Sequence, residues 1–282
     1  GGLNVVAKAT VENGYAVFSD VPFGDYILAE TTVPDDWKKA PNQKVTLTTE
    51  NKGNSEYTAA FTTVVEEKEE FRAKILKVDA TDNHKLSGAV FKIYDITTSA
   101  YLKQTLVTSD EEGNAIETEE DVLYTTDEEG LIIADGLMKH SYRIEEISAP
   151  EGYVLDSEPQ VIIISDGKES GIDEDNVPYY KVTFKDHKTE TTFTKVDITT
   201  KKEITGGKYH VEDLEGNIID EWTGDGKPHK VYGLIPGNTY LFHEEAAPDG
   251  YTIASDVEFI VKEDGTVTEV VMEDDSTKLD LS

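Results

Sequence analysis

The sequence predicts an all-β protein built of small β-sandwiches in a row, and three observations support this prediction. Segments of five to eight residues alternate apolar and polar side chains, as in KYHVED, TYLFHE and VEFIVK, which is the pattern of half-buried strands. Turns rich in Gly, Asp, Asn and Pro separate these segments at short spacing. No 3.6-residue periodicity continues for a dozen residues, so we expect no long helix.

One segment recurs three times along the chain and defines its repeats. It reads YILAETTVPDDW at residues 26–37, YRIEEISAPEGY at 142–153 and YLFHEEAAPDGY at 240–251. Each copy has an aromatic residue, a Glu four positions later, a Pro four positions after that and a final aromatic residue. Alignment on this segment predicts three domains, at residues 1–70, 71–190 and 191–282. Repeat one matches only the later part of the other two, so we expect it to be a partial sandwich that lacks its first strands.

The composition excludes several kinds of site and partner. The 282 residues carry a formal net charge of −32, so the surface should repel nucleic acid and anionic membranes. The absence of cysteine rules out disulfides, thiolate metal sites and a cysteine nucleophile. No apolar run approaches the roughly 18 residues that a membrane span needs, and no signal peptide or sorting tail is recognisable. We therefore expect a mature fragment of a longer protein, with no nucleic-acid partner and no membrane insertion of its own.

Repeat two carries an acidic insertion with two turn-like segments, SDEEGNAI and TDEEGLII. Both read as tips of solvated hairpins. A Ca²⁺ site is an alternative, but the spaced D-x-D-x-D-G loop of a calcium site is missing. We expect no metal and no cofactor.

Strand parity points to buried ionisable groups, because side chains at i and i+2 lie on the same face of a strand. Within the recurring segment, the Glu shares a face with the aromatic and aliphatic residues. On the first strand of each complete repeat a Lys shares a face with Ile or Phe, and on the last strand an Asp shares a face with Phe or Met. Desolvation raises the pKa of a carboxyl and lowers that of an amine. The residues so predicted to face inward are Lys77, Glu146 and Asp186 in repeat two, and Lys195, Glu244 and Asp274 in repeat three.

Two alternatives stay open at this point. A Lys–Asp pair could be an ordinary buried salt bridge, and Asp275 could replace Asp274 as the acidic residue. The same three-part pattern nevertheless occurs twice, in the same order and with the same parity. Parity also separates the adjacent glutamates of the recurring segment, because Glu145 should face solvent while Glu146 faces the core.

Further motifs give the repeats a family resemblance. KVD opens each complete repeat, GA or GG precedes the second strand, GL precedes the recurring segment, and that segment fits Y-x-x-x-E-x-x-A-P-x-G-Y in repeats two and three. Together they resemble the Cna B-type (SpaA-like, prealbumin-like) domains of Gram-positive cell-wall surface proteins and pilins. The resemblance covers repeats two and three and the later part of repeat one. It implies tandem Ig-like or prealbumin-like β-sandwiches arranged end to end.

The resemblance also implies an intramolecular isopeptide bond in each complete repeat. Carried over to this sequence, the bonds join Lys77 to Asp186 with Glu146 as the catalytic residue, and Lys195 to Asp274 with Glu244 in that role. Both acceptors are Asp, so the bond would form with loss of water. Repeat one has Glu30 but no first-strand Lys, and the position that matches Asp186 falls near Glu66. We expect no such bond there.

The leading functional hypothesis is a structural stalk or shaft of an extracellular, cell-wall-anchored adhesin or pilin, with neighbouring pilin subunits as partners. The alternative is an adhesin module that binds a host extracellular-matrix protein or a glycan, for which Trp37 or Trp222 would have to form an exposed aromatic platform. A turnover enzyme is disfavoured, because the sequence shows no Ser-His-Asp pattern and no HExxH motif. Self-crosslinking is a single-turnover event.

Overall fold

The computed structural model describes residues 4–34, 37–48, 63–65, 67–110, 112–155 and 158–277, and every regular element among them is a β-strand. None of these residues forms a helix that could cross a membrane. The all-β prediction is therefore confirmed. The chain divides into two compact units, Gly1–Glu70 and Phe71–Ser282.

The unit Gly1–Glu70 contains four short strands, β1 (Gly24–Leu28), β2 (Trp37–Lys38), β3 (Gln43–Leu47) and β4 (Glu67–Lys68). β1 pairs with β3 and β2 with β4, both antiparallel. Among its described residues only Ala40 is buried, while Val5, Tyr15 and Phe23 are exposed. The described part of this unit therefore has little hydrophobic core of its own. That it is a partial sandwich stays a prediction.

The unit Phe71–Ser282 contains two sandwiches. The strands of the first sandwich are β5 (Phe71–Asp79), β6 (Val90–Asp95), β7 (Ala100–Tyr101), β8 (Lys103–Ser109), β9 (Ala115–Asp121), β10 (Tyr124–Thr125), β11 (Leu131–Leu137), β12 (Ser141–Ser148), β13 (Gln160–Ile163), β14 (Gly171–Ile172) and β15 (Pro178–Asp186). One sheet has the order β11-β5-β15-β14, and the other has β10-β6-β12-β13 with β7 beside β6. β8 and β9 form a separate two-stranded hairpin, as predicted for the SDEEGNAI turn. The prediction of a second hairpin at TDEEGLII is wrong, because the flanking strands β10 and β11 pair with β6 and β5 in different sheets.

The strands of the second sandwich are β16 (Glu190–Asp197), β17 (Thr205–Asp213), β18 (Ile218–Asp225), β19 (His229–Tyr232), β20 (Thr239–Ala246), β21 (Val257–Ile260) and β22 (Thr268–Asp274). Its sheets have the orders β19-β16-β22 and β18-β17-β20-β21. In both sandwiches aromatic rings from the two sheets meet edge to face in the core. Phe91 contacts Phe184 at 4.9 Å between ring centroids, and Phe193 contacts Phe242 at 5.0 Å.

The first and last strands of each sandwich lie side by side and run parallel. β5 pairs with β15, with Asp79 opposite Asp186, and β16 pairs with β22, with Asp197 opposite Asp274. Strands that are far apart in sequence therefore share one ladder of backbone hydrogen bonds. This pairing brings the predicted lysine and aspartate of each repeat onto neighbouring strands.

A short junction around Thr189 connects the two sandwiches. The backbone N–H of Thr189 donates to the carbonyl of Gly152 at 2.9 Å, and its hydroxyl donates to the carbonyl of Leu234 at 2.5 Å. The N–H of Gly233 donates to the carbonyl of Thr189 at 3.0 Å. Thr189 is only 3% exposed. The recurring segment of the first sandwich thus ends against the loop that precedes the recurring segment of the second.

Gly152 has no room for a side chain at this junction. Its φ is +79°, and a Cβ would lie 2.5 Å from the carbonyl oxygen of Gly233. Gly167 offers a matched control, because its φ is +68° and a Cβ there would meet nothing within 4 Å.

We expect Gly152→Ala to lower the free energy of unfolding more than Gly167→Ala does. Both variants carry the left-handed backbone penalty of about 1–2 kcal/mol, but only Gly152→Ala must also displace the Gly233 backbone. Calorimetric unfolding of the full chain measures both losses. Equal losses in the two variants would contradict a close contact at Gly152.

Candidate functional site

The first sandwich buries three ionisable side chains together. Lys77 of β5 places its Nζ 2.6 Å from Oε2 of Glu146 on β12, and the same Nζ contacts Oδ1 of Asp186 on β15. The side chains of all three residues are 0% exposed. One ammonium group therefore faces two carboxyl groups in the core.

The second sandwich repeats this arrangement with different residues. Nζ of Lys195 on β16 contacts Oδ1 of Asp274 on β22 and lies 3.1 Å from Oε1 of Glu244 on β20. The side chain of Lys195 is 5% exposed, and the two carboxyl groups are 0% exposed. All six residues that parity placed on inward faces are buried, and each set of three is brought together.

The strand arrangement explains why each set meets. The lysine and the aspartate come from the adjacent parallel strands of one sheet, and the glutamate reaches across the core from the facing sheet. An aromatic ring lies near each amine. Lys77 Nζ lies 5.9 Å from the ring centre of Phe91, and Lys195 Nζ lies 5.7 Å from that of Tyr209. The amines are therefore held against carboxyl groups in apolar surroundings.

Burial shifts the protonation of the carboxyl groups. Desolvation raises the pKa of Glu146 to about 8, although the hydrogen bond from Lys77 opposes the shift. Desolvation also raises the pKa of Asp274, opposed by Lys195. One ammonium can neutralise only one of two carboxylates, so the other favours its protonated form in a dry core. At neutral pH Glu146 therefore carries its proton.

Glu244 and Glu30 of the recurring segment also accept hydrogen bonds from the backbone that follows this segment. Oε2 of Glu244 accepts a hydrogen bond from the N–H of Ala254 at 2.7 Å, ten residues further on. In the unit Gly1–Glu70, Oε2 of Glu30 accepts from the N–H of Ala40 at 3.0 Å, again ten residues on. The equivalent residue of the first sandwich, Asp156, lies outside the described residues. The sequence analysis missed this structural role, which gives Glu30 a function without a lysine.

The structure distinguishes between neighbouring acidic residues. Asp274 is buried beside Lys195, whereas Asp275 is exposed and uses its backbone carbonyl to accept from the N–H of Thr252 at 3.2 Å. Glu145 lies on the outer face of β12, where it accepts from the hydroxyl of Tyr101 at 2.7 Å. The position near Glu66, which was aligned with Asp186, lies outside the described residues.

A second pair of buried acids was missed by the sequence analysis. Asp79 and Asp197, the final residues of the KVD segments, accept backbone N–H bonds from the turn that follows, and the N–H of Thr200 contributes most to lowering the pKa of Asp197. Asp79 also accepts from the hydroxyl of Tyr153 at 3.0 Å, and Asp197 accepts from that of Tyr251 at 3.2 Å. The KVD segment and the final Tyr of the recurring segment, which are identical in repeats two and three, thus contact each other. Their matching positions in two repeats were the available signal.

Among the described residues, Asp79, Asp82 and His84 form a cluster whose side-chain ligand atoms lie close enough together to bind one metal ion. The oxygens of Asp79 already accept from Thr81 and Tyr153. These hydrogen bonds cap the end of β5, and they explain why the three residues lie together.

We expect Glu30→Ala to speed hydrogen exchange of the Ala40 amide, because the buried N–H loses its acceptor at a cost of about 1–3 kcal/mol. Glu30→Gln keeps an oxygen acceptor and should retain most of the protection. Amide exchange measured by NMR on the full chain tests both variants. Unchanged exchange in Glu30→Ala would show that this hydrogen bond does not hold the segment.

Comparison with known proteins identifies related sequences and folds. The family model described as the SpaA prealbumin-like fold domain matches residues 3–61, 71–177 and 189–276. Among solved structures, the Bacillus anthracis TIE protein shares 23% identity over 95% of this chain with a TM-score of 0.57, and the chain spans 45% of the length of that protein. A streptococcal ancillary pilin shares 22% identity over 95% of this chain and 80% of its own, with a TM-score of 0.35.

A third solved structure, the shaft pilin SpaA from Lactobacillus rhamnosus GG, shares 15% identity over 75% of this chain and 98% of its own, with a TM-score of 0.31. None of the curated proteins matches the chain.

Proposed function

Because the chain belongs to the family of SpaA prealbumin-like fold domains, we propose that it is a structural stalk or shaft segment of a Gram-positive, cell-wall-anchored adhesin or pilin. Its domains would span residues 1–70, 71–190 and 191–282, and neighbouring pilin subunits would be its partners outside the cell. The family membership and the two buried sets of Lys, Glu and Asp support this proposal. The function is mechanical, so no substrate turnover is required.

An isopeptide bond would close each sandwich, from Lys77 to Asp186 and from Lys195 to Asp274. The observation that carries this proposal is the contact between each Lys Nζ and a carboxyl oxygen of the last strand, inside a core closed to water. Fully buried ion pairs are held at a large desolvation cost. Conversion of the pair to an amide removes both charges from the core and releases one water.

The residues can carry the reaction without any added reagent. A proton first moves from the Lys77 ammonium to the Asp186 carboxylate, which leaves a neutral amine beside a neutral carboxyl group. The amine nitrogen attacks Cγ of Asp186, the C–N bond forms, one C–O bond breaks and water leaves. Glu146, protonated because its pKa is about 8, donates a hydrogen bond to the reacting carboxyl group and passes the amine proton to the leaving oxygen. Holding the reactants in contact contributes on the order of 7–11 kcal/mol.

The bond would tie together the strands to which the neighbouring parts of the chain attach. β5 and β15 are parallel neighbours at the beginning and end of the first sandwich, and β16 and β22 occupy these positions in the second. A pull on the two ends of a sandwich would then act along a covalent path, and the strands between would carry little load. A chain without cysteine would gain by this means the kind of constraint that disulfides provide in other extracellular domains.

The alternative, a module that binds a host protein or a glycan, is not supported by the two tryptophans on which an aromatic platform was predicted to depend. Trp222 stacks on His229 at 4.1 Å and on Phe242 at 5.5 Å between ring centroids, so it belongs to the edge of the second core. Trp37 of β2 is half-buried and pairs with Lys68 of β4. Neither residue forms an open aromatic platform for a sugar ring.

We expect the intact chain, measured by mass spectrometry under denaturing conditions, to weigh two waters less than its sequence. Glu146→Ala should recover one water and Glu244→Ala the other, because each removes the proton shuttle of one sandwich. Glu145→Ala is the matched control, since Glu145 lies on the outer face of the same strand, and its mass should still lack two waters. A full sequence mass in the unaltered chain would refute the crosslinks.

We expect crosslinking of the first sandwich to slow as the pH rises above about 8, the pKa of Glu146. The neutral Lys77–Asp186 pair and the Lys77–Asp186 ion pair carry the same number of protons when Glu146 is protonated. The reaction rate should therefore change little with pH as long as Glu146 keeps its proton. Above this pKa the proton is lost and the shuttle fails. Uncrosslinked chain, purified from inclusion bodies in denaturant, can be refolded across this pH range and its mass followed in time. A rate that climbs steadily through pH 9 would rule out protonated Glu146 as the shuttle.

A further inference from the structure

The end of the second sandwich repeats the backbone arrangement of the junction between the two sandwiches. Tyr153 forms an isolated β-bridge with Lys188, and Tyr251 forms the equivalent bridge with Ser276. One residue later, the N–H of Thr277 donates to the carbonyl of Gly250 at 2.8 Å. The Thr189 N–H makes the same bond to Gly152 at 2.9 Å. Gly250, Tyr251 and Thr277 therefore correspond one by one to Gly152, Tyr153 and Thr189.

The two ends differ in what covers them. In the first sandwich Gly152, Tyr153 and Thr189 are all buried, because the loops of the second sandwich lie against them. At the second sandwich the equivalent Gly250 and Thr277 are exposed, and Tyr251 is half-buried. A pocket of about 620 Å³ opens beside this turn, with Asp249 and Tyr251 in its wall.

The loops that cover the first sandwich make specific contacts. Gly233 and Leu234, in the loop before β20, supply the N–H and the carbonyl that bond to Thr189. Gly265, in the turn between β21 and β22, lies against Val154, and a Cβ at Gly265 would come 3.4 Å from the Val154 Cβ. We call Gly233–Asn238 and Asp264–Thr266 the apical loops of the second sandwich. They lie at the end of the sandwich opposite the turn Pro248–Tyr251.

We propose that the turn Pro248–Tyr251, together with Thr277, docks the apical loops of another domain of this fold that is joined directly after Thr277. The Thr277 hydroxyl and carbonyl would bond to that domain as those of Thr189 bond to Leu234 and Gly233. Thr252, which corresponds to Val154, would meet its glycine turn. The proposal is independent of the crosslinks, because none of these contacts involves Lys195, Glu244 or Asp274.

Gly250 fits this role. Its φ is +86°, close to the +79° of Gly152, but a Cβ at Gly250 would meet no atom of the described residues within 4 Å, whereas one at Gly152 would lie 2.5 Å from a carbonyl oxygen of the docked loop. The empty space at Gly250 is therefore the space that a docked loop would occupy. The second sandwich presents the same conformation before any partner is in place, so docking needs no rearrangement of the turn.

A lengthened chain tests the proposal directly. Residues 1–277 are followed by a second copy of residues 190–277, so that Thr277 precedes Glu190 as Thr189 does. Thr252→Cys is combined with Gly265→Cys in the second copy, since the matching Cβ separation of 3.4 Å at the existing junction lies close to that of a disulfide. Val154→Cys with Gly265→Cys in the original chain is the positive control. The chain contains no other cysteine.

The matched control pairs Thr252→Cys with Lys227→Cys in the second copy. Lys227 lies in the turn between β18 and β19, at the end of the sandwich away from the apical loops. Under mild oxidation, followed by non-reducing gel and mass spectrometry, we expect the Gly265 pair to close within one chain at least about tenfold faster than the Lys227 pair. Adding Gly250→Ala to the first copy should abolish the faster closure of the Gly265 pair. Adding Gly167→Ala instead should leave that rate unchanged.

Three outcomes would overturn the proposal. Equal rates for the Gly265 and Lys227 pairs would mean that the added domain is a freely tethered neighbour. An undiminished rate in the Gly250→Ala chain would mean that docking does not use this turn. Disulfides formed mainly between separate chains would mean that the surface pairs copies of the protein in trans.

Discussion

The parallel pairing of the first and last strands in each sandwich is the constraint on which the rest of the structure depends. It places a lysine and an aspartate from the two ends of a domain side by side on one sheet, where the facing sheet supplies a glutamate. A core that holds one amine and two carboxyl groups must keep one carboxyl protonated, as the raised pKa of Glu146 reflects. The three side chains of each set are buried from solvent, so each group's protonation depends mainly on the other two groups.

The final Tyr of the recurring segment links this buried chemistry to the ends of each sandwich. Tyr153 and Tyr251 bond to the aspartates that end the first strands, and the glycine before each Tyr forms the turn next to the following linker. The same twelve-residue segment therefore contributes a core carboxyl group, a strand cap and one side of a domain junction. Displacement of the turn at the junction would therefore also disturb the cap of the first strand.

Alternation of side chains was sufficient to predict much of the structure. The strand class and the inward direction of Lys77, Glu146 and Asp186 follow from a period of two, which the backbone imposes on any strand. The contact between the KVD aspartates and the final tyrosines could not be derived this way, because it depends on how two loops meet in space. The sequence could not decide between Asp274 and Asp275, because this depends on the register of β22. It could not reveal the acceptor role of Glu30 either, because this depends on where the chain runs ten residues further on.

The hydrogen bond from Ala40 to Glu30 has a consequence for how such domains are counted. A glutamate that holds a backbone segment is useful to the fold whether or not a lysine and an aspartate stand beside it, so it can persist after either partner is replaced. A genome survey that counted covalently closed domains by this glutamate alone would overestimate them. Requiring the lysine of the first strand and the aspartate of the last strand as well would restrict such a count to domains that contain all three reacting groups.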